Sequence, residues 1–255
     1  MISQKWSKLI RSLQQKKYRK VEQLFIVEGE KAVLEVLASN WQVTAVFATE
    51  PFLQRYVNDV KKAALIQQCS SDELVKVGTF TSNDAALAVV KIPEQQPFSA
   101  SFSSQPAPAP WVLVLDQIND PGNLGTIIRI ADWYGISDIV CSPDTADCFN
   151  PKVIAAAKGS FLRVNLHYQR LPELLKQNRR PVYGAYLGGE SVHQLQLKQQ
   201  GGFIVLGNEA NGISTELTAC ISRKITIPAF GSAESLNVGI AAAIICDNLL
   251  RLSNS

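Results

Sequence analysis

Apolar residues fall in short, regularly spaced runs separated by polar turns, and the period of these runs changes along the chain. Trp6, Leu9, Ile10 and Leu13 recur at helical spacing and predict an amphipathic first helix. Phe25-Ile26-Val27 reads as a strand leading into Glu28-Gly29-Glu30, and residues 30–38 read as a helix. The pattern then predicts a strand over 43–48, a helix over 51–59 and a strand over 64–66. A helix opening at Asp72 and a strand over 86–90 follow. Alternation of this kind predicts a small α/β sandwich.

From Trp111 the signal strengthens. Trp111-Val112-Leu113-Val114-Leu115 is continuously apolar, as expected of a strand buried on both faces. A helix follows over 123–134 and stops at Gly135. Strands are predicted at 138–141, 161–164, 182–185, 203–206 and 225–227, with helices over 150–158 and 171–178 and one capped by Ser214. The closing helix, from Ser235 to Leu252, is apolar all round, which predicts burial on every side. Small residues among its large ones (Gly239, Ala241, Ala242, Ala243) let another backbone come close, and point to a subunit interface. The fold class expected is α/β: a C-terminal, mostly parallel sheet with helices on both faces, plus a smaller N-terminal α/β domain.

Between the halves, residues 97–110 hold four of the chain's twelve prolines among serines and alanines. Such a segment joins neither a helix nor a central strand. It predicts a substrate-binding domain over 1–96, a linker over 97–110 and a catalytic domain over 111–255.

Composition narrows the classes. At 46% hydrophobic residues the 255-residue chain can build its core without metals or disulfides. The five cysteines are odd in number, form no C-x-x-C, and have only His167 and His193 beside them, so no metal-ligand spacing exists. No apolar stretch reaches the length of a membrane span, and no signal sequence precedes the first helix, so a cytoplasmic protein is expected. Residues 1–20 carry seven basic side chains and no acid; with a net charge of +3 overall, the remainder is left at −4. Such a cluster is an electrostatic footprint for a polyanion or a solvated helix face.

Three loops carry the polar chemistry. Asp120-Pro121-Gly122-Asn123 suits a type II turn and feeds a helix whose free N–H groups can meet an anion, with Arg129 on the side away from the buried stripe. Gly207 and Gly212 bracket Asn208-Glu209-Ala210-Asn211, where glycine permits close backbone approach. Ile227-Pro228 leads to Ser235-Leu236-Asn237, and Ser235 is a candidate N-cap. There is no G-x-G-x-x-G, Walker A or G-x-S-x-G sequence, which removes support from dinucleotide, P-loop and nucleophile-elbow readings.

In order and spacing these loops resemble the three sequence motifs of the SpoU (TrmH-like) ribose methyltransferases of the SPOUT superfamily. The matches are Asn123, Gly125 and Arg129, then Gly207, Glu209 and Gly212, then Ile227, Pro228, Ser235, Leu236 and Asn237. The segment from Lys17 to Gly29 looks like the family's ribosomal-protein-like RNA-binding domain. Lys158 departs from the family, where a smaller polar residue is common. The resemblance implies a C-terminal trefoil knot, S-adenosylmethionine as cofactor, and a homodimer built on the last helix; no metal is expected from the Cys and His spacing. It implies a catalytic cluster of Arg129, Asn123, Glu209, Ser235 and Asn237, and cofactor contacts from Leu206, Gly207, Ile227 and Leu236. RNA contacts are expected from Lys16, Lys17, Arg19 and Lys20. The activity implied is methylation of a ribose 2′-hydroxyl in structured RNA, with ribosomal RNA ranked before transfer RNA. A non-catalytic RNA-binding or ribosome-assembly factor, and an α/β enzyme acting on a small nucleotide, remain as alternatives.

Overall fold

The computed structural model describes residues 1–94, 97–98, 110–197 and 201–253. Most of the expected linker, residues 99–109, lies outside the described residues. The chain divides into two compact units, one of residues 1–94 and 147–162, the other of residues 95–146 and 163–255. Residues 147–162, assigned from sequence to the second domain, thus cluster with the first unit.

The first unit holds a four-stranded sheet of β1 (Leu24–Glu28), β2 (Val43–Ala48), β3 (Ile66–Gln68) and β4 (Ala86–Lys91), in the order β1-β4-β2-β3. Strand β4 runs antiparallel to both β1 and β2, and β3 parallel to β2. Helices α1 (Gln4–Ser12), α2 (Lys16–Glu22), α3 (Glu30–Ala38) and α6 (Ser71–Val77) accompany it. The helix expected over 51–59 is two short ones, α4 (Glu50–Arg55) and α5 (Val57–Val60), because Tyr56 leaves helical geometry at φ −118°, ψ 35°. The strand expected over 64–66 lies two residues later, on a polar edge that leaves no apolar signal.

Segment 147–162 supplies α8 (Pro151–Ala157), which packs on β1. Phe149 and Phe161 complete an aromatic cluster with Phe25 and Trp41. Ring centroids lie 4.9 Å apart for Phe25–Phe149 and 5.9 Å for Trp41–Phe161, in tilted and edge-on geometries. Phe161 therefore does not begin a strand. Ser160–Leu162 is a 3₁₀ turn, and the strand comes afterwards, on half-polar residues.

The second unit is built on a six-stranded sheet: β5 (Trp111–Leu115), β6 (Asp138–Cys141), β7 (Asn165–Tyr168), β8 (Val182–Ser191), β9 (Gly202–Leu206) and β10 (Arg223–Thr226). Every pairing is parallel, in the order β10-β8-β9-β5-β6-β7. Central strands β5 and β9 are buried throughout, as their unbroken apolar runs require. Helices α9 (Leu171–Lys176) and α10 (Thr215–Thr218) cover one face, placing Leu171, Leu174, Leu175 and Leu217 against Val112, Val114, Phe203 and Val205. Phe98, expected in the linker, is a buried member of this core. Helix α7 (Pro121–Trp133) packs on β6 and on the closing helix α11 (Val238–Ser253). Strand β8 runs six residues past its expected end, with a register break against β10.

Helix α11 buries one stripe (Val238, Ala242, Ile245, Cys246, Leu249), while Ile240 is 53% exposed, so it is not enclosed within the chain. One of its small residues serves an internal contact: a Cβ on Gly239 would fall 3.0 Å from Thr126 Cγ2 of α7. The cysteines are mostly core: Cys69, Cys141, Cys148 and Cys246 are buried, and burial pushes the Cys246 thiol up to about 12.

Candidate active site

The sheet order sets the site. The chain leaves β5 toward β6 and leaves β9 toward β10, on opposite sides, although β5 and β9 are neighbours. Where neighbouring strands send their connections apart, a crevice opens at their carboxyl ends. Leu115 and Leu206 lie level in the β5–β9 register, so the loops after them emerge side by side.

The first loop is not a type II turn. Asp120 caps α7 by accepting the Asn123 N–H at 2.8 Å, and Pro121 occupies the first turn, where its missing N–H costs nothing. Gly122 keeps negative φ accordingly. Capping fixes Asn123 at the helix start, facing the second loop.

The second loop is held by its own backbone. Asn208 and Gly212 exchange N–H···O bonds of 3.0 and 2.8 Å. A Cβ on Gly207 would lie 2.2 Å from the Gly212 carbonyl carbon, so only glycine allows this crossing. The Asn208 side chain accepts from the Ala210 and Asn211 N–H groups and donates to the Gln117 carbonyl at 2.8 Å. Buried Asp116 accepts the Ser214 N–H at 2.7 Å. Ser214 stands at the N-cap of α10 as expected, although its side chain makes no capping bond. Asn208 and Asp116 were not among the expected site residues; an Asn inside a glycine-bracketed turn is the signal that could have found Asn208. We expect Gly207→Ala to destabilise the second unit by roughly 1–3 kcal/mol, the usual penalty of overpacking, read as a lower thermal unfolding midpoint.

Three of the expected catalytic residues meet. Asn123 Nδ2 donates to Glu209 Oε1, and Asn237 Nδ2 donates to Asn123 Oδ1 at 2.9 Å. Asn237 Oδ1 in turn accepts from the Gly239 and Ile240 N–H groups, capping α11. The direction of this chain is chemically forced. An ionised carboxylate only accepts, so Asn123 must present its NH₂ to Glu209 and its oxygen to Asn237. Residues 114 positions apart are thereby locked into one network.

Arg129 is exposed on α7 and forms no hydrogen bond or ion pair among the described residues. Glu209 orients Asn123, not Arg129. Ser235 is exposed and unpaired among the described residues, and Asn237 takes the capping role foreseen for it. Of the expected cofactor residues, Leu206 is buried at the end of β9, Gly207 and Ile227 are half-buried, and Leu236 is 49% exposed.

The basic cluster is corrected at one position. Lys16, Lys17 and Lys20 are exposed on α2, beside Tyr18, whose ring centroid lies 4.6 Å from Lys17 Nζ. Arg19 is only 2% exposed: it bonds Asp147 at 2.6 Å and the Leu13 carbonyl at 2.8 Å, and cannot present itself to RNA. A charge buried this deeply requires such partners.

Comparison with known proteins agrees with this geometry. The SpoU rRNA methylase family profile matches residues 110–247, and an MRM3-like substrate binding domain profile matches residues 7–88. The chain is 31% identical over 242 residues to the 23S rRNA (guanosine(2553)-2′-O)-methyltransferase RlmP of Bacillus subtilis, covering 94% of this chain and 93% of that one. A solved TrmH-family protein from Porphyromonas gingivalis superposes with a TM-score of 0.85 at 36% identity, covering 98% and 99% of the two chains. An AdoMet-bound rRNA methyltransferase from Sinorhizobium meliloti gives 0.86 at 25%, covering 98% and 96%. Profile, relatives and the meeting of Asn123, Glu209 and Asn237 coincide: the chain belongs to the SpoU rRNA methylase family.

Proposed function

We propose that this protein transfers a methyl group from S-adenosylmethionine to a ribose 2′-hydroxyl of ribosomal RNA. The observation that carries the reading is the Glu209–Asn123–Asn237 network at the β5–β9 crevice. A protein that only bound RNA would have no need to fix these three polar side chains at a strand-end crevice.

The residues present fit the cofactor. Gly207 brings backbone, not side chain, to the crevice, and Ile227 and Leu236 keep apolar surface uncovered that an adenosine would cover. When bound, the cofactor supplies a methyl already made electrophilic by its sulfonium. The ribose 2′-hydroxyl would be the acceptor held by these loops, and its proton would leave to an RNA phosphate or water. The Arg129 guanidinium offers donors and no acceptor, so its role is to hold phosphate or the developing alkoxide instead of taking the proton. The amides of Asn123 and Asn237 fix the loops around the hydroxyl, with Ser235 beside them. Positioning of this kind can account for a large part of the rate.

The N-terminal unit presents Lys16, Lys17 and Lys20 to the RNA backbone, and Tyr18 offers a stacking surface. Ile240 on α11 and Trp133 on α7, the latter 84% exposed, leave apolar surface that a second copy would bury, giving a homodimer through the last helix. No helix among the described residues is long and apolar enough to cross a membrane, and no group of three or more His, Cys, Asp or Glu among them could hold a metal. We place the enzyme in the cytoplasm, where its RNA is.

The test is methyl transfer from labelled S-adenosylmethionine to RNA from a strain lacking the gene, with the modified nucleotide mapped. Label in a 2′-O-methyl nucleotide of ribosomal RNA is expected. Label in transfer RNA alone would move the substrate, and cofactor binding without transfer to either RNA would leave a non-catalytic binding factor.

A further inference from the structure

At the carboxyl ends of β5, β6 and β7 the second unit holds an open cavity of about 330 Å³, lined by Asp116, Gln117, Ser142, Asp144, Arg170 and Glu216 among others. It borders the second catalytic loop, because the Gln117 carbonyl is the anchor of Asn208.

Gln117 is the anomaly in its wall. The residue sits at φ 58°, a conformation that glycine adopts freely and a residue with a Cβ adopts at a cost. Its backbone is fully used: the N–H donates to Ser142 Oγ at 2.9 Å and the carbonyl accepts from Asn208. Glycine would serve those bonds equally well. Yet the position carries a half-buried side-chain amide that has no partner among the described residues. Strain retained beside an active-site loop, with an unused polar group attached, points to a ligand.

Asp116 supplies the second feature. It is 4% exposed, and its Oδ2 accepts from Ser214 N–H. Its Oδ1 meets no donor among the described residues, and none of their buried side-chain oxygens is sealed without a partner, so Oδ1 opens on the cavity. With Asp144 and Glu216 against one Arg170, the cavity carries more negative charge than positive. That excludes a phosphate inside and favours a neutral group rich in N–H donors. Pro143, Leu171 and Pro172 add apolar surface for a flat ring.

Among RNA bases, guanine alone shows two adjacent N–H donors, N1–H and N2–H₂, next to an acceptor, O6. One open carboxylate oxygen, with its two lone pairs, can accept from this pair while an amide N–H meets O6. We propose that this cavity receives an unpaired guanine of the RNA substrate, read by Asp116 and by the Gln117 amide. The proposal rests on the RNA methyltransferase reading above, and it adds a base-reading site beside the methyl-transfer site. Bases splayed from RNA loops are read on this edge.

The test uses the full-length enzyme, S-adenosylmethionine and a transcript spanning the mapped methylation site. Wild type is compared with Gln117→Gly, which keeps the backbone conformation and deletes only the amide, and with transcripts carrying single guanosine-to-inosine replacements. Gln117→Gly is expected to raise KM for RNA about tenfold, the lower range for a good base contact, with kcat, cofactor affinity and Tm held. One inosine replacement, which removes the N2 amino group, is expected to raise the wild-type KM by a similar factor. An unchanged KM for Gln117→Gly, a change confined to kcat, or indifference to every inosine replacement would each overturn the guanine site while methyl transfer by wild type still stood. Failure of wild type to methylate any RNA would instead remove the reading underneath it.

Discussion

Replacing Arg129 with alanine is expected to slow single-turnover methyl transfer by about 10²–10³-fold, the usual loss when one donor to a developing anion is removed. S-adenosylmethionine affinity, read by calorimetry, is expected to stay at the wild-type value. The case for Arg129 is its isolation. Glu209, the carboxylate among the matched motif residues, is engaged by Asn123, and Asn123 is engaged again by Asn237. Arg129 meets no carboxylate among the described residues, so its charge is available to RNA. Being exposed, it supports no core, and its removal should leave Tm within about 0.5 kcal/mol of stability of the parent. Arg129→Lys should recover only part of the rate, because an ammonium cannot reproduce the planar fork on phosphate oxygens. Full turnover by Arg129→Ala on normal RNA would sink this role and return the stabilising work to the loop amides.

Much of the frame could be read from residue pattern because its elements announce themselves physically. Trp111–Leu115 is apolar without interruption, and it is the central strand it had to be. Residues 30–38 and 43–48 fell on helix and strand boundaries as observed. The failures share one cause: the pattern registers burial without saying what does the burying. Phe161 looked like a strand residue, but it is buried in the aromatic cluster of the first unit. Arg19 looked like an RNA contact in a basic run, but helical geometry turned it inward onto Asp147 while its lysine neighbours stayed outside. Asp120-Pro121-Gly122-Asn123 looked like a free turn, but proline at a helix start and aspartate before it make a capped first turn just as well. The meeting of Asn123, Glu209 and Asn237 was legible only through family motifs, since no periodicity relates loops so far apart in sequence.

The buried pair Arg19–Asp147 carries the largest stability effect expected in the molecule. Asp147→Ala would leave the Arg19 guanidinium 2% exposed with only the Leu13 carbonyl to meet it. Removing one member of a buried pair costs about 3–5 kcal/mol, because the remaining charge is uncompensated. Arg19→Met with Asp147→Leu removes both charges and fills similar volume, so the double variant should fall within about 1–2 kcal/mol of the parent. Urea unfolding followed through Trp6 and Trp41, both in this unit, would measure each arm of the cycle. The two readings of the cluster separate here. If Arg19 were an RNA contact, Asp147→Ala would free it and tighten RNA binding at unchanged stability. If it is a structural clasp, Asp147→Ala lowers the denaturant midpoint and the double variant restores it. Asp147 also opens the segment that returns to the first unit from between β6 and β7 of the catalytic sheet. Loosening the clasp should therefore raise KM for RNA, through the substrate-binding unit, and leave cofactor affinity in the second unit intact. A double variant as unstable as Asp147→Ala alone would show that the pair is valued for its hydrogen bonds to the chain, not for the balance of its charges.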